Sequence, residues 1–458
     1  MYEPVIGLEV HAHLATETKA FCGCANKFGA SPNTLTCPVC LGFPGSLPVF
    51  NRKALDYAVK AALALNCRVN NYFKFDRKNY YYPDLPKNYQ ISQYDLPLSV
   101  DGYLDIELES GFKKIPIKRV HMEEDAGKLV HAQSHSLVDY NRSGVPLIEI
   151  VTDPAIDSPG EAYCYLMELK EILEYLGVSD CDMEKGSLRC DANVSVRLKG
   201  ETVLGTKVEL KNMNSFKAVK EALAYEIERL SGALSKKEKI IQETRLWDVD
   251  KSITVSMRSK EEAHDYRYFP DPDLASFTLD KTELDFVKEN LPELPRAKRV
   301  RFEKDYALSR YDAGVLTSSR DLAGYFEECL KLYPQPKVLS NWITTELLSY
   351  LNEKKIPINK MPLTPKVFVG LLELLDNKII NRNSAKDVLK IMLDTGKDAS
   401  IIIKEKNLFE ISDDSALDKI AEEVIAQNSQ SVADYKSGKE NAVMFLVGQI
   451  MKKTGGKA

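Results

Sequence analysis

The stretch RVHMEEDAGKLVHAQSHSLVDYNRSGVPLIEIVTDP, from Arg119 to Pro154, holds three of the six histidines in this 458-residue chain. His121, Glu123, Glu124 and Asp125 sit together, and Asp139, Arg142 and Glu149 follow. The acids lie at the ends or inside of two short apolar runs, IPIKRVHM and VPLIEIV. A solvated charge run would have no such frame. Carboxylates and an imidazole carried on strands make a site for a hard divalent cation. VIGLEVHAHL adds a second source of the same donors. Its Leu8, Val10, Ala12 and Leu14 point one way, and Glu9, His11 and His13 point the other. A half-buried strand with a solvated polar face is the plain alternative. For a lone glutamate that alternative would win; E-x-H-x-H on one face puts a metal or phosphate role level with it.

Four of the nine cysteines are clustered: Cys22-Gly-Cys24, twelve residues, then Cys37-Pro-Val-Cys40. Two close pairs across a short loop suit four thiolates around a tetrahedral zinc. Such a shell is closed, so this zinc is expected to be structural. Four buried free thiols are the alternative.

The elements that carry these groups follow from pattern. GSLRCDANVSVRL alternates cleanly, with Leu188, Cys190, Ala192, Val194 and Val196 on one face and Arg189, Asp191, Asn193 and Arg197 on the other. TKVELKNMN sets Lys207, Glu209 and Lys211 on one side. Helical spacing in RKALDYAVKAALALN and SFKAVKEALAYEIERL, the latter capped by Asn214 or Ser215, supplies cover for one sheet face. The expectation is an α+β fold whose mainly antiparallel sheet has a working face. On it Glu9, Glu124, Glu149 and Asp191 could hold Mg²⁺, and Lys78, Arg189 and Lys207 could hold phosphate oxygens. That is the apparatus of phosphoryl transfer. There is no GxxxxGK[ST] loop, so an ATP site would be of another kind. KFDRKNYYYPDLPKNYQISQYDLPL mixes bases and tyrosines and reads as an irregular loop. HDYRYFPDPD, from 264 to 273, reads as another aromatic loop.

Beyond residue 290 the strand pattern stops. Helix starts are expected at Thr364-Pro365, at Ser384 with Asp387, and at Asp413 or Asp414. The expected domains are 1–290, carrying the cysteine loop at 22–40, then a helical 291–405 and a helical 406–458. The tail from Lys436 holds five lysines and one glutamate, which suits a phosphate backbone without base readout. A net charge of −5 excludes a general polycation. The chain has no run near the ~18 apolar residues of a membrane span, and MYEPVIGLEV is not a signal peptide. The expected compartment is the cytoplasm, with no membrane partner.

GLEVHAHL, CPVCLGFPGSLPV, KFDRKNYYYPDLPKNYQISQ, HMEEDAGK, DYNRSGVPLIEIVTDP, MEKGSLRCDANVSVR, ELKNMNSF and DYRYFPDPDL together resemble the GatB/GatE family, the B subunits of the tRNA-dependent amidotransferase GatCAB. YKSGK and FLVGQIMK match its tail, so the resemblance covers the whole chain in order. It implies a cradle domain like the catalytic sheet of glutamine synthetase, a helical domain and a YqeY-like tail that contact tRNA. It implies an ATP-dependent carbon–nitrogen ligase of protein biosynthesis. ATP and Mg²⁺ serve to phosphorylate the side-chain carboxylate of Glu-tRNA(Gln) or Asp-tRNA(Asn). Ammonia, released from glutamine by the amidase subunit GatA, then displaces the phosphate. GatC completes the heterotrimer. Glu9, His11, Glu124 and Glu149 match positions taken as metal ligands, and Lys78 lies in the motif associated with the nucleotide. Cys22, Cys24, Cys37 and Cys40 match the zinc-bearing branch. The family's tail usually continues by another short helix beyond KKTGGKA. A non-catalytic, zinc-containing tRNA scaffold is the competing expectation.

Overall fold

The computed structural model describes residues 2–257, 266–409, 414–439 and 441–453. Its contacts divide into two units, Met1–Leu294 and Pro295–Ala458.

The first unit is built on one long sheet. Its strands and their small neighbours are, in order, β1 Tyr2–His13, β2 Arg68–Val69, β3 Tyr72–Phe73, β4 Asp76–Asn79, β5 Tyr89–Ser92, β6 Ser99–Leu108, β7 Gly111–Glu124 and β8 Lys128–His131. There follow β9 Ser136–Asp139, β10 Pro146–Thr152, β11 Leu188–Leu198, β12 Val208–Lys211, β13 Thr244–Asp248, β14 Ile253–Ser256, β15 Phe269–Pro270 and β16 Phe277–Thr278. Nine of them form the sheet β14-β13-β12-β11-β1-β10-β7-β6-β2. The ladders along it are antiparallel except β12 with β13.

Period-two patterning explains why these segments share one orientation. Leu8, Val10 and Ala12 of β1 are fully buried, as are Ala192 and Val194 of β11 and Ile148 and Ile150 of β10. They meet helices α1 Arg52–Ala64, α2 Pro159–Tyr175 and α3 Phe216–Ser235 in one core. Each buried Leu, Ile or Val is worth about 1.5–3 kcal/mol. A one-residue slip would turn that whole set to the opposite face, so the core fixes the register. Register in turn fixes which polar residues stand side by side on the other face. Asn51 caps α1, Ser158 caps α2 and Ser215, not Asn214, caps α3.

One expectation is corrected here. The basic and tyrosine-rich segment from Lys74 is not an irregular loop: β4 and β5 pair within it, and Phe269–Pro270 joins as a third strand. Pro83 and Pro86 fall in the connection between β4 and β5, and Pro97 falls after β5, where they cost no ladder bond. Tyr268 stacks on Tyr94 with centroids 4.3 Å apart. His264 and Asp265 of the second aromatic stretch lie outside the described residues.

The second unit is helical throughout its described residues. Its first helices, after α4 Lys281–Glu289 of the sheet unit, are α5 Pro295–Tyr306, α6 Arg310–Leu316 and α7 Arg320–Leu332. Its apolar core runs from Phe302 to Ile403. Helices Asp414–Gln427, Ser429–Lys436 and Asn441–Lys453 pack on one another. Thr364 caps the helix that begins at Pro365. The expected start at Ser384 is corrected: Asn381 is the cap, and its side chain accepts from the Ser384 amide. Asp413 lies outside the described residues, as do residues 454–458 of the tail. No helix among the described residues is long and apolar enough to cross a membrane.

Candidate metal and phosphoryl-transfer site

The ladders place His11 opposite Glu149 and Glu149 opposite His121. His11 Nε2 lies 3.4 Å from Glu149 Oε2, and His121 Nε2 lies 3.3 Å from the same oxygen. His121 Nε2 is also 3.2 Å from Glu123 Oε1. His11, Glu123 and Glu149 each offer a ligand atom within 4.8 Å of the others. His121, Glu123 and Glu149 are buried.

The charges explain one another. Burial opposes protonation of His121, but Glu149 and Glu123 outweigh it and hold the imidazole's pKa up to about 9. Burial also opposes charge on Glu149, yet His121 and His11 bring its carboxyl below the usual range. Glu123 is lowered in the same way, against burial, by His121 and Lys78. His121 Nδ1 is buried without a hydrogen-bond partner. Two buried carboxylates and the His11 imidazole form an O/N donor set whose oxygens suit Mg²⁺ or Mn²⁺, while His121, kept protonated by the acids, donates to them.

Lys78 comes from β4. Its ammonium rests 4.9 Å from the centre of the Tyr266 ring. Burial alone would lower its pKa, but the field of Glu123 and of ionised neighbours raises it. The structure thus holds a cation beside the acid cluster.

The cysteine sulfurs also converge. Sγ atoms of Cys22, Cys24, Cys37 and Cys40 all lie within 4.8 Å of one another. A tetrahedral zinc with Zn–S of about 2.3 Å sets its sulfurs ~3.8 Å apart, and Cys37 and Cys40 are 3.9 Å apart. The Cys37 amide donates to Cys40 Sγ at 3.2 Å, and the buried Lys19 Nζ is 3.6 Å from that sulfur. Cys22 and Lys19 favour the Cys40 thiolate, whose pKa falls to about 4. All nine cysteines are free.

The model of the GatB/GatE catalytic domain matches residues 4–285, and a GatB domain model of the YqeY type matches residues 324–458. The chain belongs to the GatB/GatE family. The B subunit of the aspartyl/glutamyl-tRNA(Asn/Gln) amidotransferase of Carboxydothermus hydrogenoformans is 57% identical over 100% of this chain and 96% of its own length. The protein of the same name from Caldanaerobacter subterraneus subsp. tengcongensis is 57% identical, and that from Moorella thermoacetica 55%, with 96% and 97% of their lengths covered. Both clusters lie inside the segment matched by the family's catalytic-domain model.

The structure distributes the other expected residues unevenly. Glu9 shares the face with His11 and accepts from Asn193 Nδ2 at 2.9 Å. Burial, then Glu149, Glu209 and Asp191, raise its carboxyl pKa. It stands at the flank of the cluster. Arg189 lies opposite His11 and donates to buried Asp125 at 2.8 Å. Asp125 also contacts His13 Nε2 at 2.6 Å, and its pKa is held far below the carboxylate range, against burial, by Arg189 and His13. Asp191 is taken up by Lys211 Nζ at 2.5 Å. Lys207 is exposed and lines a cavity of about 250 Å³ with Glu9 and Asn193.

Glu124 is not brought to the cluster. Its carboxylate receives Lys87 Nζ and, at 3.0 Å, the Ile91 amide. It faces a cavity of about 190 Å³ that Cys22 and Cys40 also line. Adjacent strand residues project to opposite faces, so the acid that joins His11 and Glu149 is Glu123. Buried Val120 and Met122 were the available signal, because they place His121 and Glu123 together on the other face.

Proposed function

We propose that this chain is the kinase and transamidase subunit of a tRNA-dependent amidotransferase heterotrimer, with an amidase (GatA) and a small subunit (GatC) as partners. The convergence of His11, His121, Glu123 and Glu149 supports this most directly. Burying two carboxylates costs several kcal/mol per ion, and apolar packing would do the structural job with less strain. A tRNA scaffold would have no use for that expense.

The reaction is the ATP-dependent conversion of Glu-tRNA(Gln), or Asp-tRNA(Asn), to the amide. The substrate's side-chain carboxylate oxygen attacks the γ-phosphorus, the bond to ADP breaks, and an acyl phosphate forms. Ammonia attacks the acyl carbon and inorganic phosphate leaves. Mg²⁺, when bound, would neutralise charge on the phosphates. His11, Glu123 and Glu149 would hold it, with Glu9 at the flank. Lys78 would meet the transferring phosphoryl group, and Arg189, kept in place by Asp125, would bind oxygens on the same face. Asp191 and Lys207 stand further along that face. Cys22, Cys24, Cys37 and Cys40 would hold a structural zinc.

Residues from 406 on would form a separate tail module. Lys436 and Lys452 are exposed there and suit tRNA phosphates. The compartment of this reaction is the cytoplasm.

The test is the reconstituted heterotrimer with ammonia as donor and γ-labelled ATP. Glu149→Gln should abolish acyl-phosphate formation while tRNA binding persists. Full amidation by that variant would favour the scaffold instead.

A further inference from the structure

The carboxylate of Glu123 is gripped from outside its own sheet. Strand β5 lies against the end of β7, and each bond between them has a side chain on at least one side. Gln90 Nε2 donates to Glu123 Oε2 at 3.1 Å and to the Glu124 carbonyl at 2.7 Å. Ser92 Oγ donates to Glu123 Oε1 at 2.6 Å. Gln93 Oε1 accepts from the Met122 amide at 2.9 Å. Gln90 and Ser92 are buried, at 7% and 1% exposure.

Both donors are neutral. An arginine or lysine in their place would orient Glu123 equally well but would cancel the charge that a cation needs. An amide and a hydroxyl fix the carboxylate plane and add no positive charge to that of His121 and Lys78. Gln90 has a second role by position: in the β4–β5 ladder it is the direct partner of Lys78. One residue therefore ties the strand bearing the phosphate-facing cation to the strand bearing the acid. Tyr80 Oη adds a bond to Gln90 Oε1 at 3.4 Å.

We infer that Gln90 and Ser92 are positioning residues, which aim the Glu123 carboxylate at the metal and, through Gln90, set Lys78 beside it. This rests on the reading of His11, Glu123 and Glu149 as the metal site.

The test uses the heterotrimer, with Mn²⁺ binding followed by electron paramagnetic resonance alongside Mg²⁺-dependent amidation. Ser92→Ala and Gln90→Leu should each weaken Mn²⁺ binding by about tenfold. They should raise the Mg²⁺ requirement and leave KM for the aminoacyl-tRNA unchanged. Ser92→Thr, which keeps the hydroxyl, should restore Mn²⁺ affinity. Ser92→Ala removes one atom, so it decides the matter even if Gln90→Leu does not fold. Wild-type Mn²⁺ affinity in Ser92→Ala, with binding lost in His11→Ala, overturns the inference and spares the site. Mn²⁺ binding that survives His11→Ala overturns the site reading and the inference together.

Discussion

Cys22, Cys24, Cys37 and Cys40 come from one short loop, whereas His11, His121, Glu123 and Glu149 come from β1, β7 and β10. The first set is local in sequence and shapes its own backbone. The second exists only because a nine-stranded sheet fixes register over more than a hundred residues. Losing a member should therefore do different damage. A missing thiolate undoes local structure, while a missing carboxylate leaves the sheet standing and removes chemistry.

The sharpest break in that comparison is on the chemical side. His11→Ala should lower ammonia-dependent amidation by roughly 10²–10³, with circular dichroism and heterotrimer assembly unchanged. A variant that failed to assemble would erase the distinction. Next comes the thiolate side. Cys37→Ser should release zinc, read by metal analysis. It should also expose the loop to proteolysis, because metal binding there is folding free energy. Mn²⁺ binding at the other cluster should survive; its disappearance would show the two sites to be one cooperative unit.

Neighbouring acids sharpen the contrast further. Glu123→Gln should weaken Mn²⁺ binding by about 10-fold or more. Glu124→Gln should leave it nearly intact and instead cost about 3 kcal/mol in urea unfolding, because the largely covered Lys87 side chain loses its carboxylate. Equal Mn²⁺ loss in both would mean the strand does not separate them.

The smallest effect lies in the helical unit. Glu327 accepts from Lys298 at 2.7 Å and pairs with Arg301, joining α7 to α5. Burial would raise its carboxyl pKa, but these partners bring it below the ordinary 4.5. Its contribution is thus present above that pH and fades as pH falls through the lowered value. Glu327→Gln should cost under about 1 kcal/mol near neutrality. In paired urea melts the difference should vanish in acid, with amidation untouched.

Much of this was legible because physics left a periodic trace. Leu8-Val10-Ala12 and Leu188 to Val196 announced two central strands and the face each turns outward. Cysteine spacing announced the thiolate cluster. Helix caps at Ser215 and Thr364 were equally local. What escaped depended on long-range pairing. β4 and β5 are four residues each, too short for a pattern amid tyrosines and lysines, and they form by pairing with one another and with β15. Glu123 and Glu124 are chemically identical neighbours, and only the burial of Val120 and Met122 assigns their faces. Lys87, Gln90 and Ser92 reach the acids across the join between two sheets, which no spacing in the chain encodes.

The central claim is that three distant side chains share one cation, and anomalous diffraction from Mn²⁺-soaked crystals of the heterotrimer with a nonhydrolysable ATP analogue tests it most directly. A peak within about 2.3 Å of His11, Glu123 and Glu149 donor atoms, touching the nucleotide phosphates, is the expected result. A peak on Glu124, or a nucleotide bound away from this face with no metal at the cluster, would contradict it.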